Sequence, residues 1–120
     1  MVEQYNRIER RRSPRVKRQV ALKIKFDDYD IVGRTRDLSC IGANCTINKY
    51  ITPFSLISVI FLLPVRINNR SVVCNVCCKG VVVRVEGNPN NIKEYNVAIY
   101  FNRLRQSDKA KLSKYVQQYL

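Results

Sequence analysis

Histidine is absent from this chain of 120 residues. General acid–base chemistry thereby loses its commonest side chain, and a zinc site its usual nitrogen ligand. Acidic residues are scarce and scattered, 9 Asp+Glu against 22 Lys+Arg. No carboxylate cluster suited to a phosphate-cleaving metal stands out, and no nucleophile–base pair is recognisable. Neither an enzyme nor a bound cofactor is expected. Long apolar runs are also missing. The most apolar stretch, Leu56 to Val65, carries Ser58 and Pro64 and is too short to span a bilayer, so it reads as a buried strand. No apolar segment precedes the charges in MVEQYNRIERRR, which leads to the expectation of a cytoplasmic protein without a membrane span. Internal repeats and low-complexity tracts are absent.

What is present fits one domain with an ordinary core, at 46% hydrophobic residues. The formal charge of +13 favours an anionic partner without saying which: nucleic acid, a membrane surface or a small phosphorylated ligand. Five cysteines, an odd number, do not form a disulfide framework in a reducing compartment. Cys74 and Cys77 make a CxxC, to which Cys40 and Cys45 could add a second thiol pair on paper. Because Cys74 to Cys78 lies in a valine-rich run, core packing is the expected role.

Residues 1–19 are polar and strongly basic; 1–9 read as an N-terminal arm and 10–120 as the domain. Val20, Leu22, Ile24 and Phe26 alternate with polar neighbours, the mark of a half-buried strand. A turn is expected at Asp27–Asp30, then strands at Ile31–Arg36, Ala43–Ile47 and Ile57–Leu63, the last stopped by Pro64. Val72–Val85 is one strand bent at Gly80 or two joined there. A turn at Gly87–Asn91 and a strand at Tyr95–Phe101 follow. From Ser107 to Leu120 the period changes: Leu112, Tyr115, Val116, Tyr119 and Leu120 fall at helical spacing, with Ser107 as N-cap and Asp108 in the first turn. The sum is a mainly β, antiparallel domain, closed or nearly closed into a barrel, with a C-terminal helix at 107–120.

Two segments carry chemistry. Arg10-Arg11-Arg12-Ser13-Pro14-Arg15 offers guanidinium forks suited to phosphates and to stacking on flat rings. Asp37-Leu38-Ser39-Cys40-Ile41-Gly42 offers a carboxylate that accepts two donors from a guanine edge, a hydroxyl, and a glycine that lets backbone approach a ligand. A hairpin turning near Asp28 and Tyr29 brings Arg15 near Gly42, with Asp37 close by. Each feature has an ordinary alternative. Arginine runs are commonly solvated surface or nonspecific nucleic-acid contacts, Asp37 and Ser39 alone close turns, and Gly42 alone marks a bulge. Only jointly do they describe a site for a guanine-containing phosphodiester.

In that joint pattern the chain resembles the PilZ domain family, receptors for cyclic di-GMP. Arg11-Arg12-Ser13-Pro14-Arg15 matches the family's RxxxR loop and Asp37 to Gly42 its [D/N]xSxxG segment. The resemblance implies a six-stranded antiparallel β-barrel with a flanking helix. It implies that Arg11 and Arg15 clasp phosphates and stack on guanine, that Asp37 and Ser39 bond the guanine edge, and that Gly42 permits the tight path beneath the base. Arg10, just before RxxxR, implies a stacked dimer of the nucleotide. Arg12 and Arg84 are weaker candidates, and Asn44 and Lys79 carry no assigned role. Ligand binding is expected to order the N-terminal arm and so alter an interaction with an unidentified downstream protein. A basic barrel binding nucleic acid is the alternative, lacking aromatic platforms, and an interaction scaffold without ligand is a third.

Overall fold

The computed structural model describes residues 13–120. Six strands and one helix follow in order: β1 (Ala21–Phe26), β2 (Tyr29–Leu38), β3 (Gly42–Ile47), β4 (Leu56–Ile67), β5 (Arg70–Asn88), β6 (Asn91–Leu104) and α1 (Gln106–Gln118). The strands close into an antiparallel barrel in the order β1-β2-β3-β6-β5-β4, with β4 pairing back onto β1. Closure follows from the alternating pattern. Leu22, Ile24, Ile31, Ala43, Cys45, Ile47, Val59, Phe61, Val76, Val82, Val97 and Ile99 all turn inward and are buried. Their neighbours lie on the other face, most of them exposed, with Thr46 of β3 a buried exception.

The first hairpin turns at Asp27 and Asp28, and Tyr29 already belongs to β2. Pro64 does not end β4, which continues to Ile67. The pairing of β4 with β1 stops at Leu62, so Pro64 sits where β4 has β5 on one side only, an edge position that tolerates a residue without an N–H. Val72–Val85 lies within a single strand of 19 residues, β5, whose pairing with β6 shifts register at Lys79/Gly80. Strands β4 and β5 outrun the ring. Leu63–Ile67 and Arg70–Cys74 pair with each other through a turn at Asn68 and Asn69, both left-handed, while β1 and β6 do not reach them.

Helix α1 packs against β4 and β5 and buries Leu112, Tyr115 and Val116. Burying each such side chain contributes about 1.5–3 kcal/mol, which is what holds a helix this short. Tyr119 and Leu120 lie beyond its end and remain exposed. Ser107 is not the N-cap. Arg105 holds that position without a side-chain cap, and its Nε donates to the buried Asp108 at 3.1 Å. The helix thus starts one residue after β6 releases the chain, with Asp108 in its first turn as the dipole favours. Among the described residues no helix is long and apolar enough to cross a membrane.

Strand geometry also sorts the cysteines. Cys74 and Cys77 are three apart on β5 and so face opposite sides of the sheet. Cys45 and Cys78 are buried in the core, and Cys77 is exposed.

Candidate functional site

Arg15 owes its place to a single bridge. Val16 and Leu38 exchange backbone hydrogen bonds, both 2.9 Å, fastening the segment before β1 to the end of β2. Four residues on, the Thr35 hydroxyl accepts from Val20 N–H at 2.8 Å and donates to the Arg18 carbonyl at 2.6 Å. Arg15 therefore lies beside Asp37, and its Nη1 donates to Asp37 Oδ1 at 2.5 Å.

Asp37 reaches the surface because of a bulge. Ile31 and Thr35 point inward, and strict alternation would send Asp37 in after them. The register with β3 slips between Thr35 and Asp37. The extra residue reverses the phase, so Leu38 turns in and Asp37 turns out. Strand β5 repeats the device. Val76, Cys78, Gly80 and Val82 face in, the register with β6 slips between Val82 and Arg84, and Arg84 turns out instead of in.

Between the two bulges runs one row across four strands: Asp37 opposite Asn44, Asn44 opposite Ala98, Ala98 opposite Arg84. Asn44 Nδ2 donates to both Asp37 oxygens, at 3.1 and 3.0 Å. Arg84 Nη2 reaches over the short Ala98 toward Asn44 Oδ1 at 3.5 Å. Partial burial pushes the Asp37 carboxyl up, but hydrogen bonds from Arg15 and Asn44 and the charge of Arg15 outweigh it and hold the group below the usual carboxylate range.

Beside this row lies an open cavity of about 180 Å³, lined by Arg15, Ile41, Gly42, Asn44, Ala98 and Tyr100 together with Ala43, Val83 and Ile99. Gly42 and Ala98 supply a floor without bulk. A Cβ at Gly42 would stand 2.5 Å from the Ile99 carbonyl oxygen, so β3 lies against β6 more closely than any side chain allows. Arg15 and the half-exposed Tyr100 stand at its sides. The arrangement offers a guanidinium, a carboxylate and a flat apolar floor to one anionic, ring-bearing ligand.

A family model for the PilZ domain matches residues 9–118. The chain belongs to the PilZ domain family. Among solved structures, this PilZ domain is similar to the Bacillus subtilis inhibitor of motility MotI/DgrA. The TM-score is 0.75 at 15% identity over 91% of this chain, which spans 50% of that protein. It is also similar to the PilZ domain of YcgR from Escherichia coli, determined with c-di-GMP, with a TM-score of 0.64 at 12% identity over 92% of this chain and 91% of that one. At such identities the likeness is one of fold. A search of the curated proteins finds no match.

Within this PilZ domain the expected residues divide. Arg15, Asp37 and Gly42 come together, and Arg84 joins them through Asn44. Ser39 lies in the same segment but faces inward and is fully buried. Its hydroxyl donates to the Gly42 carbonyl at 3.1 Å and accepts from the N–H groups of Ile41 and Gly42, each at 3.2 Å. It clamps the Ser39–Gly42 turn. Arg10, Arg11 and Arg12 lie outside the described residues. Lys79 is elsewhere, opposite Ser58 on the wall shared by β4 and β5. Ala98 and Tyr100 were missed as site residues. The signal for both was their alternation with the inward Val97, Ile99 and Phe101.

Proposed function

We propose that this PilZ domain is a receptor for cyclic di-GMP. The observation that supports the reading is the pairing of Arg15 and Asp37, distant in sequence, beside a cavity that Arg15 and Asn44, both bonded to Asp37, line together with Gly42 and Ala98. In the bound state Arg15, with Arg11, clasps phosphate and stacks on the base. Asp37 accepts from the guanine edge, and the base lies over Gly42. Ser39 serves from beneath, as the clamp that shapes the turn. Arg10 brings a second, stacked nucleotide.

Binding requires Arg15 to exchange Asp37 for the ligand. That ion pair is partly exposed, with side chains 42% and 21% accessible, and such pairs contribute about 0–1 kcal/mol. Each hydrogen bond to a charged group returns roughly 1.5–3 kcal/mol. The exchange is therefore favourable with two or three new contacts, and a micromolar affinity needs about 8.2 kcal/mol in all. The signal travels through the segment before β1. Residues ahead of Ser13 close over the ligand, and Arg18, 3.9 Å from the Tyr119 ring centre, joins that segment to the end of α1. A partner protein then meets an altered surface.

Calorimetry with cyclic di-GMP tests this. Saturable binding is expected, abolished in Arg15→Ala and in Asp37→Ala, with a stoichiometry of two nucleotides per chain. Oligonucleotide binding that depends steeply on salt and survives Asp37→Ala would instead make the protein a nucleic-acid binder. Protection of the N-terminal residues from proteolysis by ligand checks the relay, and identical cleavage with and without it would refute that step.

A further inference from the structure

The wall built from β1, β4, β5 and β6 carries a basic row on its outer face. Lys25 pairs with Ser58, Ser58 with Lys79, and Lys79 with Arg103, so three cations and one small residue line up across four strands. All four are exposed. Like charges directly opposite each other in neighbouring strands, as Lys79 and Arg103 are, destabilise a sheet. No ion pair offsets this among the described residues, whose four ion pairs involve none of the three cations. No acidic residue occurs at 21–26, 56–85 or 95–104. Ser58 leaves a gap in the row, and two open cavities of about 300 and 380 Å³ meet there, both lined by Ser58 and Lys79. Asp27, in the first turn, is the one carboxylate lining either of them among the described residues. The larger cavity runs over Ile60 and Cys77 to Arg103 and Arg105. Its walls present carbon and sulfur almost throughout, as the methylene stems of lysine and arginine allow.

We infer that this groove docks an extended acidic segment of a partner protein, its carboxylates on Lys25, Lys79 and Arg103 and an apolar side chain seated over Ile60 and Cys77. Charge complementarity names the occupant. The row lacks the anions that would balance it, and the recess beside it takes an apolar group. Ser58 and Ile60 stand two residues apart on one face of β4, about 7 Å along the strand, so nearby residues of one extended peptide reach both. The other occupants fit less well. The first twelve residues of this chain carry four arginines against two glutamates and do not complement the row. A second copy of the same face repels it. A phosphodiester backbone meets the cations but has no apolar side chain to seat in the recess, and a bilayer surface does not fill a concavity of this size. The inference stands apart from the receptor reading, because no residue of the groove lines the cavity beside Asp37.

The test selects binders of the full chain from a random-peptide library displayed on phage, without nucleotide, and synthesises the peptide that recurs. That peptide should carry Asp or Glu beside Leu, Ile, Met or Phe. Two variants locate it: Lys79→Glu reverses the centre of the row, and Ser58→Trp fills the gap. Each should weaken the peptide by roughly tenfold or more, the loss of one charge-assisted contact in K79E. Because K79E sets opposite charges face to face with Arg103, its melting point should not fall. Exposed Cys77 reports occupancy, since bound peptide should slow its alkylation. Recurring peptides without acidic residues would overturn the inference, as would an acidic peptide that binds K79E like the wild type or leaves Cys77 equally reactive. A melting point lowered in K79E would assign the lysine to the fold and overturn it too. So would an empty selection, and if phosphatidylserine vesicles or an oligonucleotide then bind the wild type and not K79E, the row belongs to a membrane or a nucleic acid instead.

Discussion

Replacing Gly42 by alanine tests the fold and the site together. The new Cβ would lie 2.5 Å from the Ile99 carbonyl oxygen, a backbone atom that cannot swing aside, where real contacts do not fall under 3.0 Å. Strands β3 and β6 must therefore part by at least half an ångström at the edge of the cavity, straining the Phe101 N–H to Ile41 carbonyl bond, now 2.9 Å. Overpacking of this kind costs about 1–3 kcal/mol, against a typical total stability of 5–15 kcal/mol. For a domain of this size that corresponds to a melting point lowered by roughly 4 °C per kcal/mol. Gly87 is the control. Nothing lies within 4 Å of a Cβ there and its backbone is not left-handed, so Gly87→Ala should raise stability by about 0.4–1 kcal/mol through the unfolded chain. Thermal and urea melts of the two variants beside the wild type give the comparison. If G42A melts with the wild type, or both variants move the same way, the close approach of β3 and β6 is wrong.

Ser39→Ala leaves the N–H groups of Ile41 and Gly42 without their acceptor and should cost about 1–3 kcal/mol in urea unfolding, with G42A and S39A less than additive because both act on one turn. Asp37 is held below its ordinary value in the fold, so its stabilising contribution is complete above about pH 4 and is lost as pH falls through the lower folded value. The stability gap between wild type and Asp37→Asn should therefore narrow on acidification; a gap unchanged from pH 6 to pH 2.5 would refute it. Burial pushes the Cys45 and Cys78 thiols up to about 12, so iodoacetamide at about pH 8 should label exposed Cys77 quickly and leave those two unmodified until the chain unfolds, as mass spectrometry would read.

Much of the fold was legible because two periods dominate it. The alternation from Val20 to Phe26 and from Ala43 to Ile47 became β1 and β3, and the helical spacing of Leu112, Tyr115 and Val116 became the inner face of α1. Local rules failed where neighbours decide. Proline ends a strand only where a ladder needs its N–H, and whether β1 reaches residue 64 is a property of the closed ring. Ser107 is a good cap by type, but β6 and Asp108 set where the helix begins. The site was half legible. Arg15, Asp37 and Gly42 announced themselves by type and spacing, whereas Asn44 and Ala98 matter only through pairing register. The bulges left a trace that period-two reading passes over: Leu38 is apolar out of phase with Ile31, and Val85 out of phase with Val82. Both breaks of phase sit beside a charged residue that the bulge turns outward.

Ring closure has a consequence at the other end of β4 and β5. Most of the sheet has no long unpaired margin on which a foreign strand could grow, so among the described residues the overhanging Leu63–Cys74 finger is a natural starting place for templated stacking of one molecule on another. Its sequence guards that place. Pro64 lacks a donor, and Arg66 and Arg70 repel a second copy of themselves, flanking the exposed Ile67, Val72 and Val73. Stripping those three guards would lower solubility while leaving the barrel intact, because none of them belongs to its core.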